Sequence, residues 1–241
     1  MMPTIYIGQH QISTYWLMFA VGVISMLAIM MNRKNKFVLN NWQTVIFTLC
    51  LMVCGVGGTK ILYALESIQD LLKGEYQPGG MSLFGAVFLI PAAMPLIGKL
   101  FSMRTAQTRD ACAPCLAAMV AMLRFGCFFA GCCGGIEACI GGVCFRWPTQ
   151  LIDGTVNMLL VITLLHLEND GRFAGYLYPV FMLVYSVMRF FIEFLRDTAK
   201  DWLFLSHGQW FAILAIAVSV IWLASARKSE GNLHGKKNTK T

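Results

Sequence analysis

Seven apolar segments, each close to the length that crosses a lipid bilayer, dominate this sequence of 241 residues. A helix rises about 1.5 Å per residue, so about 20 apolar residues span the hydrocarbon core. The chain is 57% hydrophobic and only 13% charged, which is more apolar side chain than a soluble domain could bury. The sequence therefore predicts an all-α polytopic membrane protein with about seven transmembrane helices. The predicted spans are residues 14–31, 42–65, 81–100, 111–131, 149–166, 174–195 and 208–225.

Basic residues predict the orientation of these spans. Twelve of the 19 lysines and arginines lie on one side of the predicted bundle, and the N-terminal segment has none. Because loops rich in Lys and Arg stay in the cytoplasm, we expect the N-terminus outside and the C-terminus in the cytoplasm. We expect one transmembrane domain, 1–226, and a basic, disordered tail, 227–241. This rim accounts for the net charge of +7 without a nucleic acid partner.

Ionisable residues stand out inside two of the predicted spans, where a charge costs several kcal/mol and rarely occurs without a function. They are Arg124 in span four, and Arg189 and Glu193 in span six. Arg189 and Glu193 are spaced i,i+4, so they share a helix face and can pair. One interpretation is a structural salt bridge within the membrane. The other is a site for the anionic headgroup of a lipid.

Further basic and tyrosine residues are predicted at a similar depth. The topology places Lys60 near the outer end of span two and Arg146 at the outer start of span five. With Arg124 and Arg189 they form a predicted cluster of four cations in the outer half of the bilayer. Arginine binds phosphate through paired hydrogen bonds, so a lipid phosphate is the expected ligand. Tyrosines at this depth are candidate hydrogen-bond donors, although interfacial tyrosine is common.

Nine cysteines leave several hypotheses open. Outside the cytoplasm thiols tend to oxidise, so the segment containing Cys132, Cys133, Cys139 and Cys144 is expected to hold one or two disulfides, with the pairing undetermined. Cys127 or Cys132 beside Arg124 is a candidate nucleophile that accepts the lipid covalently. No histidine lies near them, so we expect no metal and no cofactor.

The pair Cys112 and Cys115 forms a CxxC motif, which suggests a rival function as a membrane thiol-disulfide oxidoreductase. The predicted topology places this motif at the cytoplasmic end of span four, away from the outer cysteines. A packing role is therefore favoured. A third hypothesis is a non-catalytic accessory protein that binds anionic lipid.

Six motifs in order resemble the prolipoprotein diacylglyceryl transferase family of bacterial inner-membrane enzymes, over residues 7 to 225. They are IGQHQISTYWLMF with Tyr15, GTKILYALE with Lys60 at an arginine position, PGGMSLFG, DACAPCLAAMVAMLRFGCFFAGCCGG with Arg124, Gly126 and Gly135, RWPTQLID with Arg146 and Gln150, and YSVMRFFIEFLRD with Tyr185, Arg189, Glu193 and Arg196.

The resemblance implies transfer of a diacylglyceryl group from phosphatidylglycerol, or a related anionic lipid, to the thiol of a lipoprotein precursor at the outer leaflet. By resemblance, Arg124 and Arg189 hold the phosphate and Glu193 orients Arg189. The other residues expected to shape or close the pocket are Tyr15, Lys60, Gly126, Gly135, Arg146, Gln150, Tyr185 and Arg196.

The chain also departs from the family's pattern on the acceptor side. Phe84 stands where the family has a histidine, Cys127 and Cys132 replace an asparagine and a glutamate, and the outer segment 136–145 is short. These changes predict a retained site for the lipid donor and a rebuilt site for the acceptor. The acceptor is then a lipoprotein precursor or a different molecule.

Overall fold

The computed structural model describes residues 3–7, 10–74, 80–171, 173–198 and 204–238. Eight α-helices and two β-hairpins follow one another along this part of the chain. The order is β1 (Thr4–Ile7), β2 (His10–Ser13), α1 (Thr14–Arg33), α2 (Asn41–Glu66), α3 (Ile68–Lys73), α4 (Leu83–Leu100), α5 (Thr105–Ala130), β3 (Glu137–Ile140), β4 (Val143–Arg146), α6 (Thr149–Asp170), α7 (Leu177–Ile192) and α8 (His207–Asn238). A 3₁₀ turn, Lys34–Phe37, extends α1, and another, Glu193–Leu195, extends α7.

Seven of the described helices are long and apolar enough to cross a membrane, which confirms the predicted number of spans. They cover Thr14–Phe37, Asn41–Glu66, Leu83–Leu100, Thr105–Ala130, Thr149–Asp170, Leu177–Leu195 and His207–Ser225. α8 continues as a helix to Asn238, so most of the tail predicted to be disordered lies within helical bounds. The orientation of the termini stays a prediction.

α5 is the central helix of the bundle. It packs against α1, α4, α6 and α7, and the residues from Ala111 to Ala121 are all buried. Small side chains in this stretch, five of them alanine, let the neighbouring helices approach closely. This places Arg124, one turn further on, in the interior of the bundle and away from lipid.

Glycines bring α2 and α4 into contact. A Cβ on Gly58 would lie 2.5 Å from the carbonyl oxygen of Gly85, whereas a Cβ on Gly57 would have nothing within 4 Å. Gly58 is therefore required by helix packing, as in other close crossings built from small residues.

A polar network closes the end of the bundle that contains the start of α5. Arg33 pairs with Glu168 at 2.6 Å and donates hydrogen bonds to the carbonyl oxygens of Asp110 and Ala111. The Asp110 carboxylate accepts from the backbone N–H groups of Gly175 and Leu177. These contacts tie α1, α5, α6 and the start of α7 together, so the chemistry-bearing residues at the opposite end are held on a braced scaffold.

Candidate active site

Arg124, Asp153 and Arg189 form the centre of the site, at the end of the bundle where α5 and α7 finish and α6 begins. The Nε of Arg124 lies 2.7 Å from Oδ2 of Asp153, and Nη1 of Arg189 lies 3.7 Å from the same oxygen. Asp153 is 1% exposed, and its Oδ1 accepts a hydrogen bond from Asn157 at 2.9 Å. One carboxylate thus holds two arginines from different helices in fixed positions.

Glu193 organises a second pair of arginines along α7. Nη2 of Arg189 lies 2.9 Å from Oε2 of Glu193, and Nη1 of Arg196 lies 3.7 Å from that oxygen. The predicted i,i+4 pairing of Arg189 with Glu193 is present. Three arginines and two carboxylates therefore lie together, which leaves one net positive charge in a largely buried site.

Two arginine nitrogens of this site have no hydrogen-bond partner within the described part of the chain. They are Nε of Arg196 and Nη1 of Arg189, which lies 3.7 Å from Oδ2 of Asp153. Buried donors without an acceptor cost free energy. Such a cluster fits an anion with several oxygens, because each oxygen can accept from more than one donor.

These groups line a narrow cleft. Its lining residues are Arg124, Cys133, Thr149, Gln150, Asp153, Arg189, Ile192 and Arg196. The backbone of Gly135 packs closely beside this cleft. Gly135 forms an isolated antiparallel β-bridge with Arg196, and a Cβ at Gly135 would lie 2.5 Å from the carbonyl oxygen of Leu195. Gly135 and Gln150, both predicted site residues, thus lie at the cleft with the arginines.

An apolar cavity of about 70 Å³ lies between α1, α2, α4, α5 and α7. Tyr15 lines the end of this cavity nearest the cleft, within electrostatic reach of Arg124. Met26 lines its deeper part, eleven residues further along α1, which is about 16 Å. That distance is about half of the ~30 Å thickness of a hydrocarbon core.

Other predicted site residues lie elsewhere. The Nζ of Lys60 donates to the carbonyl oxygen of Gly80 at 3.2 Å, and Arg146 is exposed on β4, where it pairs with Glu137 at 3.0 Å. Neither residue lines the arginine cleft, so the predicted cluster of four cations is not assembled. Gly126 packs against Met18 on α1, which gives it a role in helix packing beside Tyr15.

Apart from Cys50 and Cys54 in α2, the cysteines divide into three groups. Cys139 and Cys144 form a disulfide across the β3–β4 hairpin, and the other seven are free thiols. Cys112 and Cys115 are completely buried in α5, which favours the packing role over a redox motif. The Sγ atoms of Cys127, Cys132 and Cys133 all lie within 4.8 Å of one another beside the cleft.

The environment of Cys133 favours its thiolate form. A hydrogen bond with Cys127, together with the charges of Arg196 and Arg124, lowers the pKa of Cys133 to about 5. Burial has the opposite effect on its neighbour and raises the pKa of Cys132. The most acidic thiol of the cluster is thus Cys133, and the two cysteines predicted as candidate nucleophiles surround it.

Phe84 is buried in an aromatic cluster. Its ring centroid lies 5.7 Å from that of Tyr185 and 6.1 Å from that of Phe211. The site therefore has no imidazole at this position.

Asp153 is the functional residue that sequence reasoning missed. It sits inside the fifth apolar span, and the rule that singled out Arg124 and Glu193 applies to it equally. It was overlooked because it belongs to the polar start of α6, where a charge draws less attention.

Together, the fold and the cleft define a polytopic membrane protein with a buried cluster of arginines and carboxylates beside an apolar cavity. Residues 3–225 match the sequence profile of the family described as "Prolipoprotein diacylglyceryl transferase". The chain belongs to this family.

Three named relatives are similar to between 62% and 92% of the chain. A "Phosphatidylglycerol--prolipoprotein diacylglyceryl transferase 2" of Clostridium perfringens is 25% identical, over 92% of this chain and 93% of the relative. The corresponding transferase of Clostridium tetani is 24% identical, over 86% of this chain and 90% of the relative. That of Idiomarina loihiensis is 29% identical, over 62% of this chain and 61% of the relative.

Proposed function

We propose that this protein transfers the diacylglyceryl group of phosphatidylglycerol to a thiol of a lipoprotein precursor and releases glycerol phosphate. The observation that carries the proposal is the buried cluster of Arg124, Arg189 and Arg196, held by two carboxylates, beside an apolar cavity. Family membership and the names of the relatives support the same reaction.

The arginine cleft supplies the site for the lipid phosphate. Arg124, Arg189 and Arg196 face it, while Asp153 and Glu193 fix their positions and leave one net positive charge. A phosphodiester carries one negative charge, which matches that excess. In a site largely shielded from water, such fixed donors act more strongly than they would in solution.

The apolar cavity supplies the site for the acyl chains. Its walls are almost entirely hydrocarbon side chains, and Tyr15 separates it from the cationic cleft. A diacylglyceryl group bound there would present its phosphate-bearing glycerol carbon at the boundary between the two.

The chemistry is then a displacement at that carbon. The acceptor thiol gives its proton to water, and its sulfur forms a C–S bond with its own electron pair as the C–O bond breaks. The electron pair of the C–O bond stays on the phosphate oxygen. Negative charge therefore increases on the phosphate during the step. Arginines that are already held in place stabilise it without having to reorganise.

The location follows from the distribution of charge. The cleft lies at the end of the bundle opposite Arg33, Lys34, Lys36 and Lys99. If these basic residues face the cytoplasm, the cleft opens toward the outer leaflet of the bacterial inner membrane, where a secreted precursor would present its cysteine.

A direct test uses purified protein, vesicles containing phosphatidylglycerol, and a peptide with the cysteine of a lipoprotein signal. We expect release of glycerol phosphate, detected by phosphorus NMR. Arg189→Ala should abolish release, whereas Arg104→Ala should not, since Arg104 is exposed at the opposite end of the bundle. Binding of phosphatidylglycerol without turnover in the wild type would instead favour the accessory-protein hypothesis.

A further inference from the structure

Three free thiols converge next to the arginine cleft. Cys127 lies in the last turn of α5, and Cys132 and Cys133 lie in the turn that follows it. Their Sγ atoms are all within 4.8 Å of one another, and Cys133 lines the cleft itself.

The backbone is shaped to bring the thiols together. α5 ends at Gly131 with φ of 74°, and Cys133 adopts a φ of 61°, a left-handed conformation that costs a residue with a side chain about 1 kcal/mol or more. The backbone N–H of Cys132 donates back to the carbonyl oxygen of Cys127 at 3.1 Å. Such strain persists only where surrounding contacts impose it.

Residues at the start of α6 impose it here. The side-chain amide of Gln150 donates to the carbonyl oxygen of Cys132 at 2.7 Å, and the hydroxyl of Thr149 donates to that of Cys133 at 3.3 Å. Gln150 is 3% exposed. These hydrogen bonds fix the backbone that carries Cys132 and Cys133 beside the cleft.

Three sulfur ligands define the type of ion that fits. Thiolates select soft cations such as zinc. With Zn–S bonds of about 2.3 Å, sulfur atoms of a tetrahedral site lie about 3.8 Å apart, so the cluster needs to contract by about 1 Å at most. A zinc ion with three thiolates has one net negative charge, and the positive charges of Arg124 and Arg196 act on Cys133 from beside the cluster.

We propose that Cys127, Cys132 and Cys133 bind one zinc ion, and that its open fourth position takes the acceptor thiol. This inference rests on the proposed function. Three protein ligands and one open position are the arrangement of catalytic zinc, whereas structural zinc has four protein ligands. No metal was expected because no histidine is near, but three thiolates need none.

The zinc ion performs a task that no other group of the cleft performs. The position of the family's histidine is occupied by Phe84, and the single carboxylate lining the cleft, Asp153, is paired with two arginines. On binding zinc the acceptor thiol releases its proton to water. The zinc-bound sulfur then attacks the glycerol carbon, glycerol phosphate leaves, and the thioether product, a weaker ligand, dissociates.

The test begins with metal content. The protein is purified without oxygen, stripped with a chelator and titrated with zinc, with Cys54→Ser as the matched control because Cys54 is half-buried in α2, away from the cluster. We expect about one zinc per chain in the wild type and in the control. Cys132→Ser, a change at an exposed thiol, should weaken binding by at least about tenfold.

Cobalt then reports on the fourth position. Cobalt substituted for zinc should show thiolate charge-transfer absorption, and its visible bands should shift when the cysteine peptide is added but not when the serine peptide is added. Wild-type protein without stoichiometric zinc, with copper in its place, or with two of the three thiols joined in a disulfide overturns the proposal. These readouts do not need turnover by the Cys132→Ser variant.

The two proposals fail separately. Glycerol phosphate release that persists in zinc-free protein would refute the zinc site and leave diacylglyceryl transfer intact. Stoichiometric zinc and a peptide-dependent cobalt spectrum without any release would support the zinc site and refute the transfer reaction.

Discussion

Neutralising Asp153 should disable the cleft by releasing the two arginines that it holds. Asp153→Asn keeps the shape of the side chain and the contact with Asn157 but removes the charge. At an effective dielectric constant of about 20, the attractions at 2.7 and 3.7 Å amount to about 6 and about 4 kcal/mol before desolvation is counted.

The net effect on stability is smaller than that sum, because ionised Asp153 also has a desolvation cost that the variant no longer bears. Removing one partner of a buried ion pair lowers the free energy of unfolding by about 3–5 kcal/mol. Arg124 and Arg189 should then move away from each other. Because a misplacement of about 1 Å can lower a rate by about 10², we expect at least that loss in the rate of glycerol phosphate release.

The affinity of the cleft for anions should rise in Asp153→Asn, whereas stability and rate should fall. The net charge of the cleft rises by one unit in Asp153→Asn, so glycerol phosphate should raise the unfolding temperature of this variant more than that of the wild type. Asp170→Asn is the matched control: Asp170 is at the other end of α6, and its side chain is 44% exposed. We expect its stability to change by less than about 0.5 kcal/mol. An Asp153→Asn variant with the stability and rate of the wild type would refute the reasoning.

Three further predictions concern the scaffold and the departure at Phe84. Gly58→Ala should destabilise the protein by about 1–3 kcal/mol because its Cβ would meet the backbone of α4. The control Gly57→Ala has open space at its Cβ and should be neutral or slightly stabilising in thermal unfolding. Arg33→Gln should lower the free energy of unfolding by about 3–5 kcal/mol without changing the transfer rate per folded molecule. The control Lys36→Gln, with a 45% exposed side chain, should have little effect on either. A changed transfer rate in Arg33→Gln would contradict a purely structural role of the polar network around Arg33. Phe84→His should lose about 1–3 kcal/mol of stability because an imidazole would be buried among aromatic rings. If zinc activates the acceptor, this variant should not release glycerol phosphate faster than the wild type. A faster variant would contradict activation of the acceptor by zinc.

The membrane spans could be predicted because hydropathy is a local property. A run of about 20 apolar residues has few alternatives to a spanning helix, so the seven segments and the i,i+4 pair of Arg189 with Glu193 follow from the sequence. The helix ends in the structure differ by a few residues from the predicted ends. Polar caps, such as that of Asn40 on Gln43, extend helices beyond their apolar runs.

Contacts between distant helices could not be predicted in the same way. Arg33 and Glu168 are 135 residues apart, and the rotation of α6 that turns Asp153 toward α5 and α7 depends on how the helices pack. Arg146 was expected in the cleft because its depth is similar, but depth does not fix direction, and its hairpin pairs it with Glu137. Likewise, spacing alone left the pairing of Cys139 with Cys144 undetermined.

The most direct test of the central claim is the intact mass of the cysteine peptide after incubation with the wild-type protein and phosphatidylglycerol of one defined acyl composition. Diacylglyceryl transfer predicts a phosphorus-free adduct with the mass of that diacylglyceryl group, formed on the cysteine peptide and not on its serine counterpart, and absent with Arg189→Ala. An adduct that contains phosphorus, or an unmodified peptide in the presence of bound phosphatidylglycerol, would contradict the account.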